Sequence, residues 1–531
     1  MSARLPRLPR VPRLALAALI ATACAGATPP PPLPLAPPTV APAAPPAAPA
    51  ETPDAPFRAQ PPAKGDVVRA FAPPEVRELT LKNGIRVLFA PHPVGTVSVT
   101  LVVKAGQGDV PRARPGALSF LGAMLEQGTK TRSALKISDE LEAIGAHDHA
   151  AFGWDSGAIG VDVLREHLDK ALDLMADVVQ NPTFPKDELE RLRARRLANV
   201  QSEKNSPSSM SRNAQAAALY GRAHPYGHSL TGRMADIKAV TVAELSQLHR
   251  ELFVPSLVTL VVAGGVTEDT LVPSLERAFG SMRGPKRQRA AVPRLAAPKG
   301  ASDETRLVVV DKPGAAQSQI SVTQVGVAAD VADRDALTVM NAILGGMFSS
   351  RINLNLREKH AYTYGARTGF AMRRGAGPFD AGAAVVTDKT VPALREVFVE
   401  LEAMRTAEVT EAELAGAKDA LIQGLPARFE TARDVVNALT DVVVYDWPKD
   451  EYATRVARLS KVTAADVKRV AVHYLTPRKM RVIVVGDHAR LKDDLESMHL
   501  GAAALRDAYG DPPATATSAT PAAKPAPGKP A

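Results

Sequence analysis

A chain of 531 residues with 45% hydrophobic content is longer than one core usually serves, so at least two globular domains are expected. Its 45 prolines point to segments that build no core, and its single cysteine excludes an internal disulfide. The net charge of +9 owes part of its size to Arg4, Arg7, Arg10 and Arg13; no basic run interleaved with aromatics follows, which argues against a nucleic-acid partner.

Residues 1–24 read as a lipoprotein-type signal peptide. A basic start precedes the apolar stretch LALAALIATA, which is too short to span a bilayer and leads to Cys24. The expectation is an exported protein of the bacterial periplasm or cell envelope, lipid-anchored at Cys24. Ala21 stands where such signals usually carry Leu, and cleavage beside Ala23 or Ala25 is the alternative. Residues 25–70 are rich in Pro and Ala and read as an extended spacer. Residues 511–531 return to that composition and read as a disordered tail.

Folded sequence begins with LTLKNGIRVLFAP, two β-runs around an Asn83-Gly84 turn, followed by VSVTLVVKAG. Leu118, Leu121, Met124 and Leu125 then form the apolar stripe of a short helix in ALSFLGAMLEQGTKTR. Alternating β follows around Ala151 to Asp162. The helix from Glu188 to Lys204 carries Arg191, Arg193, Arg195 and Arg196, which read as a solvated face. A further helix and the strand LVTLVVAGG close the segment.

The chain then repeats itself. Val240, Pro255 and Gly264 match Val462, Pro477 and Gly486 at one constant offset, and Ala117 to Arg132 matches Ala336 to Arg351. Phe184 to Leu197 matches Val409 to Ile422. A period of about 220 residues means two homologous globular domains, since solenoid repeats are far shorter. The expected bounds are 71–285 and 304–500, with a linker at 286–303 between them. Strand runs next to helix runs predict an α+β fold, each domain with helices packed on a mostly antiparallel sheet.

Four motifs in order carry a family resemblance: LKNGIRVLFAP, the helix at Ala117, GRAHPYGHSLTGR (Gly221 to Arg233) and SSRINLNLREKHAYTYGAR (Ser349 to Arg367). Together they resemble the pitrilysin/insulinase (M16) family of zinc peptidases, the group that includes mitochondrial processing peptidase. The resemblance covers the whole folded part and implies two domains forming a clam-like chamber. Active members carry H-x-x-E-H, two zinc-binding His and a Glu that activates water. The matching positions here are Ser119, Phe120, Leu121, Gly122 and Ala123, and the distal zinc-binding Glu falls on Asn199. Glu203 lies one helical turn further on. Thr338, Asn341 and Ala342 of the second domain supply no better set.

The resemblance implies a substrate-binding role for Arg357 and Tyr364, whose guanidinium and phenol suit a peptide carbonyl or its oxyanion. Pairing of Arg357 with Glu358 and sheet packing by Tyr364 are the plainer alternatives. Some bacterial members divide the work between a zinc-bearing chain and one with the Arg/Tyr pair, and this sequence has the second pattern. The expectation is therefore a non-catalytic subunit with no cofactor of its own. It binds peptide substrate and complements a zinc-bearing partner subunit, which holds the metal. Two other readings stand beside it: a stand-alone peptide-binding or structural envelope protein, and a metallopeptidase with an unrecognised site on His147 and His149. Those two alternate on a strand in HDHAAF, with no third ligand visible nearby. His224 and His228 flank a turn-rich structural loop, and Gly345-Gly346 reads as a helix C-cap and turn.

Overall fold

The computed structural model describes residues 71–110, 113–291 and 306–513. The expected signal peptide, Cys24 and the Pro/Ala spacer lie outside these residues, as does the tail beyond Pro513. The described residues belong to one compact unit.

In the first domain, β1 (Arg77–Thr80) and β2 (Arg86–Pro91) form the expected hairpin. Gly84 takes φ 88° in its turn, where a side chain would be strained. Asn83 ties that turn to the carbonyls of Phe279 and Met282 through Nδ2, at 2.8 and 3.2 Å. Next come β3 (Thr96–Val103), helix α1 (Ala117–Leu125), β4 (His147–Phe152) and β5 (Gly157–Leu164). Helices α2 (Lys186–Glu203) and α3 (Pro207–Tyr220) follow, and β6 (Val258–Gly264) completes the sheet. The second domain contains β7 (Leu307–Asp311), β8 (Gln317–Val325), helix α4 (Arg334–Asn341), β9 (Thr363–Phe370) and β10 (Pro378–Val386). Helix α5 (Ala432–Val444), β11 (Arg481–Gly486) and β12 (Ala504–Arg506) end it.

The two six-stranded sheets have orders β1-β2-β6-β3-β5-β4 and β12-β7-β11-β8-β10-β9. Five strands of each follow one pattern, with β4 and β9 as equivalent edges. The sheets differ at the opposite edge: β1 is antiparallel to β2, whereas β12 is parallel to β7. Most pairings are antiparallel, as the sequence predicts. The second sheet recruits a strand beyond the expected domain end at 500. Asp511, the first residue of the expected tail, is held by Arg222 at 2.7 Å and Arg233 at 3.1 Å. Those ion pairs anchor the chain where composition alone suggested disorder.

Each sheet is buried on both faces. On β3, alternate residues Val97, Val99, Leu101 and Val103 point into the core of their own domain. Val102 points the other way and is covered by α5 of the second domain. The exchange is reciprocal. Val435, Leu439 and Val442 of α5 pack on Leu88, Val102 and Val261, while Met210 and Ala214 of α3 pack on Val308, Val310, Ile483 and Val485. Thr431 and Asp434 cap α5 in a capping box, and Ser206 caps α3. Each domain thus takes part of its core from the other, which the repeat did not reveal. Polar ties reinforce the seam: Gln215 on α3 donates to half-buried Asp380 on β10 at 2.9 Å, and Arg374 pairs with buried Asp109.

Candidate functional site

Helix α4 runs directly into a π-helical turn, Ala342–Gly346, and a second π turn spans Leu354–Lys359. The expected C-cap at Gly345-Gly346 is therefore a continuation in wider winding. A Cβ on Gly345 would lie 2.4 Å from the Thr368 backbone nitrogen, so only glycine lets this turn rest against β9. Wider windings of this kind are frequent at functional sites. Here they carry Arg357.

Asn353 fastens the turn to the strand. Its Nδ2 donates to the Phe348 carbonyl at 2.7 Å, and its Oδ1 accepts from the Ala366 amide at 3.0 Å. Asn341 accepts from Thr368 Oγ1 at 2.9 Å. Arg351 makes a two-pronged bond to Glu413, at 2.6 and 2.8 Å, holding that carboxyl down at about 2. On this frame Arg357 and Tyr364 line one cavity of about 340 Å³ together with Phe348 and Arg367. Arg357 lies over the Phe348 ring at 4.6 Å and pairs with Glu358 at 3.3 Å. Tyr364 is 90% exposed and Phe348 69% exposed. The phenol is thus not sheet packing, whereas the Arg357–Glu358 pair is present. Ala361, between the two, adopts φ 53°, a left-handed conformation that costs a non-glycine residue about 1 kcal/mol.

The matching place in the first domain is different. Helix α1 lies across β4, and a Cβ on Gly122 would already meet the Ala150 carbonyl oxygen and Ala151 Cα at 3.2 Å. A longer side chain there would have to push helix and strand apart. From α2, Arg196 donates to the Ser119 carbonyl at 2.7 Å and stacks on Phe120 at 4.1 Å. Its Nη1 is buried without a partner, and burial with Arg195 nearby pushes the group down to about 10. Arg193 donates to the carbonyls of Ile237 and Val240. This corrects the solvated-face reading of α2: two of its arginines bind neighbouring backbone, which a charge run in sequence does not show. Glu126, capping the C-terminus of α1, is pushed up to about 8 by burial and by Asp148 beside it.

Ser119, Gly122, Ala123 and Asn199 offer no imidazole, thiolate or carboxylate, so the residues at the zinc positions do not fit the ion. Among the described residues no group of three or more His, Cys, Asp or Glu is placed to hold a metal. His147 and His149 share a face of the edge strand β4. Nε2 of His149 lies 3.4 Å from Thr100 Oγ1, and burial lowers the pKa of this ring. Asp162, opposite His147 in register, is paired with Arg433 from α5. Thr338 donates to the Arg334 carbonyl at 2.8 Å, an ordinary intrahelical bond. In the HPYG loop, His224 Nδ1 accepts from the Tyr226 amide and the Tyr226 hydroxyl donates to Asp155, consistent with a structural loop.

Residues 86–232 match the family model for insulinase (peptidase family M16), and residues 239–421 match that for the peptidase M16 inactive domain. An uncharacterized zinc protease of Mycobacterium bovis is 29% identical over 80% of this chain and 95% of its own length. The β subunit of the bovine mitochondrial-processing peptidase is 26% identical, over 79% of this chain and 86% of the relative. The crystal structure of a peptidase M16 inactive domain from Pseudomonas fluorescens superposes with a TM-score of 0.72 at 25% identity, covering 77% of this chain and 98% of that one. A Helicobacter pylori protease shares the fold at a TM-score of 0.71, with 22% identity over 78% of this chain and all of that one. With its duplicated six-stranded domains and both halves matched, the chain belongs to the insulinase (M16) peptidase family.

Proposed function

We propose that this protein is a non-catalytic subunit that presents peptide substrate to a zinc-bearing chain of the same family, in an exported complex tethered through Cys24. The observation that carries the reading is the contrast between two equivalent places in the fold. At β9 and the π turn before it, Arg357 and exposed Tyr364 stand on a platform of bonded Asn and Gly residues. At β4, the α1 frame offers no zinc donor and no general base at the motif positions. A guanidinium and a phenol can hold a peptide carbonyl, while activation of water needs a metal or base from elsewhere. In that complex Arg357 and Tyr364 would position the substrate, and the partner would supply metal and base. A relative that is itself named a subunit, the β subunit of mitochondrial-processing peptidase, supports a multichain reading.

The test is reconstitution. The full chain, mixed with a zinc-bearing family member from the same cell, should increase peptide hydrolysis above that of the partner alone. Arg357→Ala should reduce that increase by about a hundredfold, the scale of losing one charge-stabilising donor. Unchanged hydrolysis with the Arg357→Ala chain would contradict the shared site.

A further inference from the structure

A second cavity, of about 270 Å³, lies at the seam where the turn after β9 meets the first domain. Its wall includes Trp154, Tyr226 and His228 from the first domain and Arg373 from the second. The Arg373 guanidinium lies 4.7 Å from the Trp154 ring and 4.6 Å from the Tyr226 ring. Among the described residues it has no ion pair and no side-chain hydrogen bond, and its Nη1 is fully buried without a partner. Asp155, a nearby acid, is already committed: Oδ1 accepts from the Tyr226 hydroxyl at 3.0 Å and Oδ2 from the Arg374 amide at 3.1 Å. Buried charges in proteins are normally paired, because desolvating one alone costs several kcal/mol. Burial accordingly lowers the pKa of this guanidinium.

The same cavity holds a second unmatched atom. His228 Nε2 lies 2.7 Å from the Arg222 carbonyl, which can only accept, so Nε2 carries the proton. Burial keeps the ring neutral, leaving Nδ1 a bare acceptor that is buried and unpartnered. Arg212 adds a second positive charge to the lining, and Glu203 is its one acid.

We propose that this cavity is a carboxylate subsite: Arg373, packed against the rings of both Trp154 and Tyr226, binds the carboxylate, and His228 Nδ1 accepts a hydrogen bond from an N–H or O–H on the same ligand. The volume suits one amino-acid-sized group rather than a longer segment. Such chemistry is found in a free small carboxylic acid and in the last residue of a peptide with a free C-terminus. The inference does not depend on the role of Arg357 and Tyr364, which line a different cavity.

Trp154 is the natural reporter, and Trp447→Phe leaves it the only tryptophan in the full chain. N-acetylglycine, its amide, and an N-acetylated tripeptide as acid and as amide are titrated at pH 7 and constant ionic strength, following Trp154 fluorescence. The acids should bind saturably and the amides should not. If both acids bind, a small carboxylate suffices; if only the tripeptide acid binds, the peptide terminus is the ligand. Arg373→Met, which keeps the stacked stem but removes the charge, should weaken binding by about ten- to a hundredfold. Should that variant not fold, Arg212→Gln decides, with a weakening of a few fold expected from the lost wall charge. Equal response to acids and amides, no response to either, or undiminished acid binding in a folded Arg373→Met chain would overturn the proposal.

Discussion

Near Ser119 the positive charge is a guanidinium, and near Asp148 a carboxyl is held in its neutral form. Neither group can be read from the linear sequence, because Arg196 sits in a run of arginines and Glu126 in an ordinary helix end. What separates Arg196 from Arg195 is only the helical phase that turns it onto Phe120. The absence of zinc donors at Ser119, Gly122 and Ala123, in contrast, was legible from residue identity alone. Glu126 makes a pH-dependent prediction. Burial raises its pKa on folding from the ordinary 4.5 to about 8, so its contribution to stability is present below about 4.5 and is lost as pH rises through 8. Glu126→Gln, which imitates the protonated form, should therefore leave stability nearly unchanged at pH 4.5. It should stabilise the chain by roughly 1–3 kcal/mol at pH 9, after allowance for partial exposure. Chemical denaturation at the two pH values measures this, and an equal effect at both would show that the carboxyl is not raised.

Among the elements, the β-runs and their alternation were the most legible, since one face of β3 is a plain Val/Leu register. The π turns were not. Two adjacent glycines ordinarily mark a helix end, but here close packing of Gly345 against β9 favours continued winding over a cap. That contact sets where β9 carries Tyr364. Gly345→Ala forces a methyl to within 3 Å of backbone and should cost about 1–3 kcal/mol. In the reconstituted pair it should also lower hydrolysis, through displacement of β9, while zinc content in the partner stays the same. Unchanged thermal stability would mean that the turn relaxes freely and does not position the strand.

At the scale of the whole molecule, duplication was visible in the constant offset between the repeats, but the exchange of helices was not. Sequence similarity shows which helices are equivalent; it does not show which sheet each covers. The apolar face of α5 meets the first domain's sheet, so the domains are expected to unfold together. Trp154 of the first domain and Trp447 of the second, both near the seam, each become the sole tryptophan reporter once the other is replaced by Phe. Leu439→Ala removes a fully packed contact across the seam and should cost about 2–5 kcal/mol. Both reporters should then shift to the same lower denaturation midpoint, whereas movement of only one would mean that each domain is stable alone.

Whether the chain binds substrate without performing hydrolysis is decided by zinc content and peptide hydrolysis measured on the purified chain alone. A non-catalytic subunit should carry no stoichiometric zinc and show no cleavage, with cleavage rising only when a zinc-bearing family member is added. Near-stoichiometric zinc together with chelator-sensitive cleavage by the chain alone would contradict it and direct attention to His147 and His149.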